Sequence, residues 1–366
     1  MPAPSAPARM WNRALQMLGF ELRQLAILGR SNRPWQQALA AAVAAGLPIF
    51  IGAWYGALPS GLVASLGGLV FLYLPGTALS HRMAWLMACG FGLVAGFTLG
   101  ILSHVHQPLT IPVLAVITTL VTMVCRFYAV PPPGSLFFVM AAAIGAYTPA
   151  QGGAALMNVG LVAMGSVLGL GIAFLYSLHA LRRTAPVAAP APNPSFDEVV
   201  LDSVVIGAFV GLSLAVAQLL QLPRPYWVPV SCLSVIQAAS LRAVWDRQLH
   251  RIAGTALGLL LFWAIAATVP LTPWSVAAVL TLLSFLIEML VVWHYGLAVV
   301  FITPLTMLLA EAPELAMAST AGLMRARMVD TVLGCLAGLA GGACLHSPRF
   351  RAVVGRWLRR ILPVRA

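Results

Sequence analysis

A few ionisable side chains inside apolar stretches are the residues of this sequence that could bind a charged ligand. Arg327 and Asp330 come just before the apolar run TVLGCLAGLAGGACL, three positions apart, so on a helix they share a face. Ionisable groups at membrane depth are costly and usually functional. With Arg325 nearby, Arg327 predicts a positive mouth or site for a carboxylate. The open alternative is an anchoring arginine with a purely structural carboxylate partner.

Glu288 is the other acidic residue well inside an apolar run of the second half, SFLIEMLVVW. A carboxylate in such a helix either pairs with an arginine at the helix end or serves as a protonatable site. The second interpretation makes Glu288 the candidate for proton coupling.

Enzyme chemistry finds no support in the sequence, and we predict no catalytic residues and no cofactor. The chain has no lysine, so it has neither a P-loop lysine nor a Schiff-base amine. HExxH and nucleophile-elbow motifs are absent. The five cysteines follow no pairing or CxxC spacing, and His104 with His106 is too small a set for a metal site, so none is predicted.

The composition requires a membrane protein. Hydrophobic residues make up 61% of the 366 and charged residues 8%, too few to coat a soluble fold. Apolar runs separated by short breaks predict an all-α protein with about twelve membrane spans, with the open alternative that Pro-interrupted runs such as Tyr226–Ser240 are re-entrant. The runs are Gln36–Gly56, Ser60–Ala78, Met83–Ser103, Pro108–Val124, Gly134–Thr148, Ala154–Leu178, Val199–Leu220, Tyr226–Ser240, Arg251–Val269, Pro273–Val292, Gly296–Ala310 and Arg327–Cys344.

The arginines predict the orientation and the domains. With both termini in the cytoplasm, 18 of the 21 arginines fall on that side, and only Arg224, Arg325 and Arg327 lie outside. Anionic headgroups explain the net charge of +12 without nucleic acid. We divide the chain into an amphipathic N-terminal helix, a first six-helix unit, a Pro/Ala-rich linker, a second six-helix unit and a basic tail. These cover residues 1–35, 36–178, 179–198, 199–345 and 346–366.

Glycines recur at matching places in the two halves and predict a duplication. The matches of the third with the ninth span and of the sixth with the twelfth have offsets of 162 and 169 residues. Six spans per copy make the two repeats parallel, with a pseudo-twofold axis along the membrane normal and a cleft between them. Glycines four apart also let helices approach closely. The predicted packing glycines are Gly92, Gly96, Gly254, Gly258, Gly334 and Gly338.

Several strings resemble the fusaric acid resistance (FUSC) and aromatic acid exporter family of bacterial inner-membrane proteins. They are YWVPVS, which contains Tyr226 and Trp227, then RIAGTALG from Arg251, FLIEMLVVWHYGLAVVFITPL around Glu288, and RMVDTVLG from Arg327 through Asp330. The resemblance implies two six-span units that export organic, often aromatic, carboxylic acids, with these residues as pathway candidates. Larger members insert a cytoplasmic region where this chain has a short linker, which leaves a periplasmic adaptor in doubt.

We therefore predict a multi-pass exporter of organic anions in the bacterial inner membrane, driven by a proton or potential gradient. The expected partners are membrane lipids and a small organic anion. Two other functions remain open at this point: an anion channel of the same architecture, and a membrane scaffold that transports nothing. The sequence also leaves open whether chains pair, as they do in the similar plant malate channels.

Overall fold

The structure is a computed structural model that describes residues 29, 33–104, 106–148, 153–193, 195–311 and 320–361. Within these ranges the chain is helical, with connecting loops and no strand. Most of the predicted N-terminal helix falls in residues 1–28, outside the described residues.

The first half of the described chain contains six helices and the second half contains seven. The first six are α1 Trp35–Trp54, α2 Leu58–Gly68 with a 3-10 extension Leu69–Tyr73, α3 Leu79–Ser103, α4 Thr110–Phe127, α5 Leu136–Tyr147 and α6 Gly153–Ala180. After a π-helical turn, Asp197–Leu201, come α7 Asp202–Leu219, α8 Trp227–Ile236, α9 Leu241–Thr268, α10 Pro273–Leu290, α11 Tyr295–Glu311, α12 Thr320–Leu345 and α13 Pro348–Ile361.

The helices fall into two length classes. Eight in the described ranges are long and apolar enough to cross a membrane: α1, α3, α4, α6, α7 with its π turn, α9, α10 and α12. Four more, α2, α5, α8 and α11, are shorter apolar helices of 10–17 residues, and α13 belongs to neither class. An all-helical, multi-pass membrane architecture is thereby confirmed, while the number of twelve spans stays a prediction.

Two helices begin seven or more residues earlier than the apolar runs predicted. α9 begins at Leu241 rather than at Arg251, and α12 begins at Thr320 rather than at Arg327. In α9 the added turns are polar, and Arg242 pairs with Asp246 at 3.1 Å, four residues on. Arg327 was expected at the boundary of a short span. It lies instead seven residues inside a 26-residue helix, about 10 Å from its start at 1.5 Å per residue.

Small residues allow the closest helix contacts, and the packing pairs repeat along the chain. α3 packs on α5 as α9 packs on α11, and α2 packs on α6 as α8 packs on α12. A Cβ added at Gly96 would lie 3.0 Å from the carbonyl oxygen of Phe138, and one at Gly258 would lie 2.6 Å from that of Val300. A side chain at Gly258 would require the backbone to shift, and one at Gly96 would make an unusually tight contact.

The most extensive contacts between the halves occur at two junctions. α4 of the first half packs on α7 of the second, and α10 of the second half packs back on α1 of the first. The linker follows α6 in extended form, where the amide of Val187 donates to the carbonyl of Gly76 and that of Asn193 to Phe127. We call the end of the bundle that carries the linker the linker end.

Replacing Gly165 by valine is expected to destabilise the fold. A Cβ at Gly165 in α6 would overlap the carbonyl oxygen of Ala64 in α2, whereas one at Gly171 in the same helix meets nothing within 4 Å. Overpacking of this kind costs about 1–3 kcal/mol. Thermal unfolding in detergent should therefore fall by several degrees for Gly165→Val. The matched variant Gly171→Val should unfold like the wild type, and equal losses would contradict this account of α6.

Candidate functional site

A cavity of about 990 Å³ lies between the two halves and is mostly apolar. Its lining reaches from Arg33 and Glu288 at the linker end to Tyr147 and Arg224 at the opposite end. The volume suits a small organic ligand. The charged side chains that line it in the described part of the chain are Arg33, Arg224, Arg247, Arg251, Glu288 and Arg327. Five arginines and one glutamate give this cavity a positive lining.

Arg327 occupies the centre of the candidate site. Its guanidinium carbon lies 3.8 Å from the ring centroid of Trp227, and Nη2 donates to the hydroxyl of Thr306 at 3.0 Å. The side chain thus spans from α12 to α8 and α11 and is only 4% exposed. A desolvated cation over an indole face gains about 2 kcal/mol or more. These two contacts hold the guanidinium in the wall of the cavity.

Arg251 reaches the same short helix from α9. Its Nη2 lies 3.5 Å from the hydroxyl of Ser231, which is four residues beyond Trp227 in α8. Residues four apart share a helix face, so α8 presents one arginine-binding position per turn. Arg251 is 5% exposed, and its Nε is buried without a hydrogen-bond partner among the described residues. Two buried guanidiniums therefore converge on α8.

Asp330 and Arg325 take different positions from Arg327. Asp330 is 1% exposed and is not among the residues that line the cavity. Arg325 is exposed and does not line the cavity either. Two residues along a helix correspond to a rotation of about 200°, which turns Arg325 away from Arg327.

Glu288 lines the cavity at the linker end and pairs with an arginine. Its Oε2 accepts from Nη1 of Arg33 at 2.8 Å, and its side chain is 14% exposed. Glu288 lies near the end of α10, and Arg33 lies just before α1. The pair therefore bridges one junction between the halves.

A second ion pair bridges the other junction at the same end. Asp202, the first residue of α7, accepts from Arg126 near the end of α4 at 2.9 Å and also from Arg351 of α13. In both junctions the start of one helix pairs with the end of another, but the charges are exchanged. The sequence contained a signal for the equivalent positions of the two ion pairs. Arg126 and Glu288 are separated by 162 residues, the same offset that separates Gly134 from Gly296.

Aromatic rings from both halves form a row beside the arginine site. The ring of Tyr147 in α5 lies 5.7 Å from that of Tyr226, and Tyr226 lies 5.1 Å from Trp227. Gln218 of α7 donates to the hydroxyl of Tyr147 at 2.6 Å and fixes it at this end of the bundle. All three rings line the cavity. Sequence analysis missed Tyr147, because nothing in its local pattern places it beside Tyr226.

Metal ligands do not gather at this site. In the described ranges, no three His, Cys, Asp or Glu side chains are close enough to hold an ion. His104, considered at first as half of a metal pair, has Nδ1 3.0 Å from the carbonyl of Ala146.

Comparison with known proteins finds a family match within the second half. Residues 205–341 match the fusaric acid resistance protein-like family, a region that contains Tyr226, Arg251, Glu288 and Arg327. The uncharacterized membrane protein YvaC of Bacillus subtilis (strain 168) is 31% identical over 142 residues, which cover 39% of this chain. That match spans only 22% of the length of YvaC. No solved structure matches the chain. The family resemblance read from the sequence is thereby confirmed.

Proposed function

We propose that this multi-pass membrane protein, whose residues 205–341 match the fusaric acid resistance protein-like family, exports organic carboxylic acids, mainly aromatic ones. The observation that carries this proposal is the pair Arg327 and Arg251, buried beside an aromatic row in a cavity between the halves. No catalytic role is proposed for any residue.

The chemistry of the site favours an aromatic carboxylate. A guanidinium presents parallel N–H donors that match a carboxylate, and it stays charged at every physiological pH. Planar rings stack on tyrosine and tryptophan faces, and the row from Tyr147 to Trp227 provides such faces within the cavity. The arginines offset the cost of bringing a carboxylate to membrane depth.

The architecture that we propose has twelve spans as two parallel repeats of six. Its support is that short helices stand second and fifth in each group of six, and that the packing pairs recur in the same order. The packing glycines agree, since Gly96 lies against α5 and Gly258 lies against α11. In this proposal the four short helices also traverse the bundle, and the cavity lies along the axis between the repeats.

We place the protein in the bacterial inner membrane with the linker end in the cytoplasm. Arg33, Arg126 and Arg247 are near that end, as the excess of arginine on the cytoplasmic side requires. The interior-negative potential then drives an anion outward, by about 2.3 kcal/mol per charge and 100 mV. Glu288 is the proposed site where proton entry adds to this force.

An anion channel is the second candidate function. It is favoured by the lining of the cavity, which includes residues of both ends of the bundle, Arg33 and Arg224 among them. A channel passes anions only down their gradient, whereas a coupled exporter accumulates them against it. Flux measured against a gradient separates the two.

The test is efflux of matched compounds from a deletion strain and from the same strain with the gene restored. Each aromatic carboxylate is paired with its neutral primary amide, so the two differ mainly in charge. We expect restored cells to export the acids and to retain the amides at the level of the deletion strain. Equal handling of acid and amide would contradict the anion proposal, and no flux of any compound would support a scaffold.

A further inference from the structure

The last described helix, α13, is docked on the linker end of the bundle through one of its faces. Leu358 is 5% exposed, and Phe350 and Val354 pack against the main apolar core. At Gly355 a Cβ would lie 3.2 Å from the side chain of Leu201, so the helix lies close to the π turn. Only two residues separate α13 from the end of α12 at Leu345.

Two arginines hold this docked face. Arg351 donates to the carboxylate of Asp202 and, at 3.2 Å, to the carbonyl of Leu345. Arg359 pairs with Asp197 at 2.8 Å, and its guanidinium carbon lies 5.5 Å from the ring centroid of Phe196. Because Asp202 also pairs with Arg126, α13 is linked to the junction between α4 and α7.

The opposite face of α13 is apolar and basic, and it covers nothing in the described protein. Val353 and Trp357, four residues apart, are 58% and 60% exposed. Arg349, Arg356 and Arg360 are exposed beside them, at spacings of seven and four residues, and form no ion pair with the described residues. We call these five residues the outer face of α13.

From this we infer that the outer face of α13 binds the anionic phospholipid headgroups of the leaflet around the linker end. Charge complementarity supports this partner, because three arginines without a carboxylate face outward. An apolar stripe between basic residues is typical of helices that lie in the membrane interface. The position fits as well, since α13 begins just beyond the end of a membrane-spanning helix.

Lipid bound to this face should stabilise the whole bundle. Each basic residue near an anionic surface is stabilised by its attraction to that surface. Arg351 and Asp202 connect α13 to the junction between the halves, so holding α13 at the membrane also stabilises that junction. The inference does not depend on what the cavity transports.

The experiment uses the full chain in nanodiscs of phosphatidylcholine, with or without phosphatidylglycerol. For the wild type, phosphatidylglycerol should raise the unfolding temperature by roughly 2–4 °C or more. The variant Arg349→Gln/Arg356→Gln/Arg360→Gln should lose most of this rise. The control Arg182→Gln/Arg183→Gln removes two exposed arginines of the linker and should keep it.

A second measurement keeps the test independent of unfolding. After purification in mild detergent, native mass spectrometry should find more phosphatidylglycerol retained on the wild type and the control than on the triple variant. High salt should reduce the difference, because the attraction is screened. Equal retention by all three proteins, or a stabilisation by phosphatidylglycerol that the triple variant keeps, would overturn the inference.

Discussion

Replacing Arg327 by glutamine is expected to reduce efflux of aromatic carboxylates by about tenfold or more. Hydrogen bonds to charged groups are worth about 1.5–3 kcal/mol, and glutamine offers no charge to balance a carboxylate in an apolar cavity. Glutamine also loses the cation–π contact that holds the guanidinium over Trp227. Efflux of neutral compounds, where the protein transports them, should change little. The measurement is the initial efflux rate of each acid and of its amide, at matched protein levels.

Arg325→Gln is the matched control for this prediction. It removes the same charge from the same helix, two residues away, but from an exposed position outside the cavity lining. We expect carboxylate efflux near the wild-type rate. If both variants transport both classes normally, Arg327 has no part in substrate binding. If both variants lose acid efflux equally, the effect is one of net charge at that end of the bundle.

Replacing Glu288 by glutamine is expected to abolish proton-coupled transport while leaving downhill transport of the substrate intact. Accumulation driven by a pH gradient should be lost, because the amide cannot take up and release a proton. Downhill exchange of labelled for unlabelled substrate should persist, because Arg327 and the aromatic row are unchanged. Both rates are measured in proteoliposomes at the same protein-to-lipid ratio.

The ion pair with Arg33 provides the control. The exchange Arg33→Glu/Glu288→Arg keeps a pair of opposite charges at the junction of α1 and α10. If Glu288 carries the coupling proton, this double variant should stay folded and uncoupled. Recovery of pH-driven accumulation in the double variant would instead show that Glu288 is only a structural partner, as would equal loss of both activities in Glu288→Gln.

The sequence predicted the membrane class. Of the predicted site residues, Tyr226, Trp227, Arg251, Glu288 and Arg327 line the cavity, whereas Arg325 and Asp330 do not, and the partners of these side chains were not predicted. Arg327 and Trp227 lie in separate short strings, and only the fold brings their side chains together. Arg33 falls in the segment predicted as an amphipathic N-terminal helix, and its ion pair with Glu288, 255 residues away, leaves no local pattern in the sequence. Long-range pairs depend on how helices are arranged, and hydropathy carries no information on that arrangement.

Helix ends were also predicted less well than helix centres, for a physical reason. Apolar runs show where a helix meets lipid. The helix itself continues for as long as its residues are compatible with the helical backbone conformation. The polar start of α9 is helical because residues such as Arg247 and Gln248 form helices readily. The same reasoning explains why Arg251 and Arg327 are inside helices rather than at their ends.

The contact of α10 with α1 has a consequence for how the protein is made. The chain emerges from its amino terminus at about 5–20 residues per second, so α1 enters the membrane on the order of ten seconds or more before α10 exists. During that interval the face of α1 around Gly46, which later packs on Thr281, is without its partner helix. The nascent first half therefore passes through a state in which the faces of α1 and α4 that contact the second half are not yet covered by their partner helices.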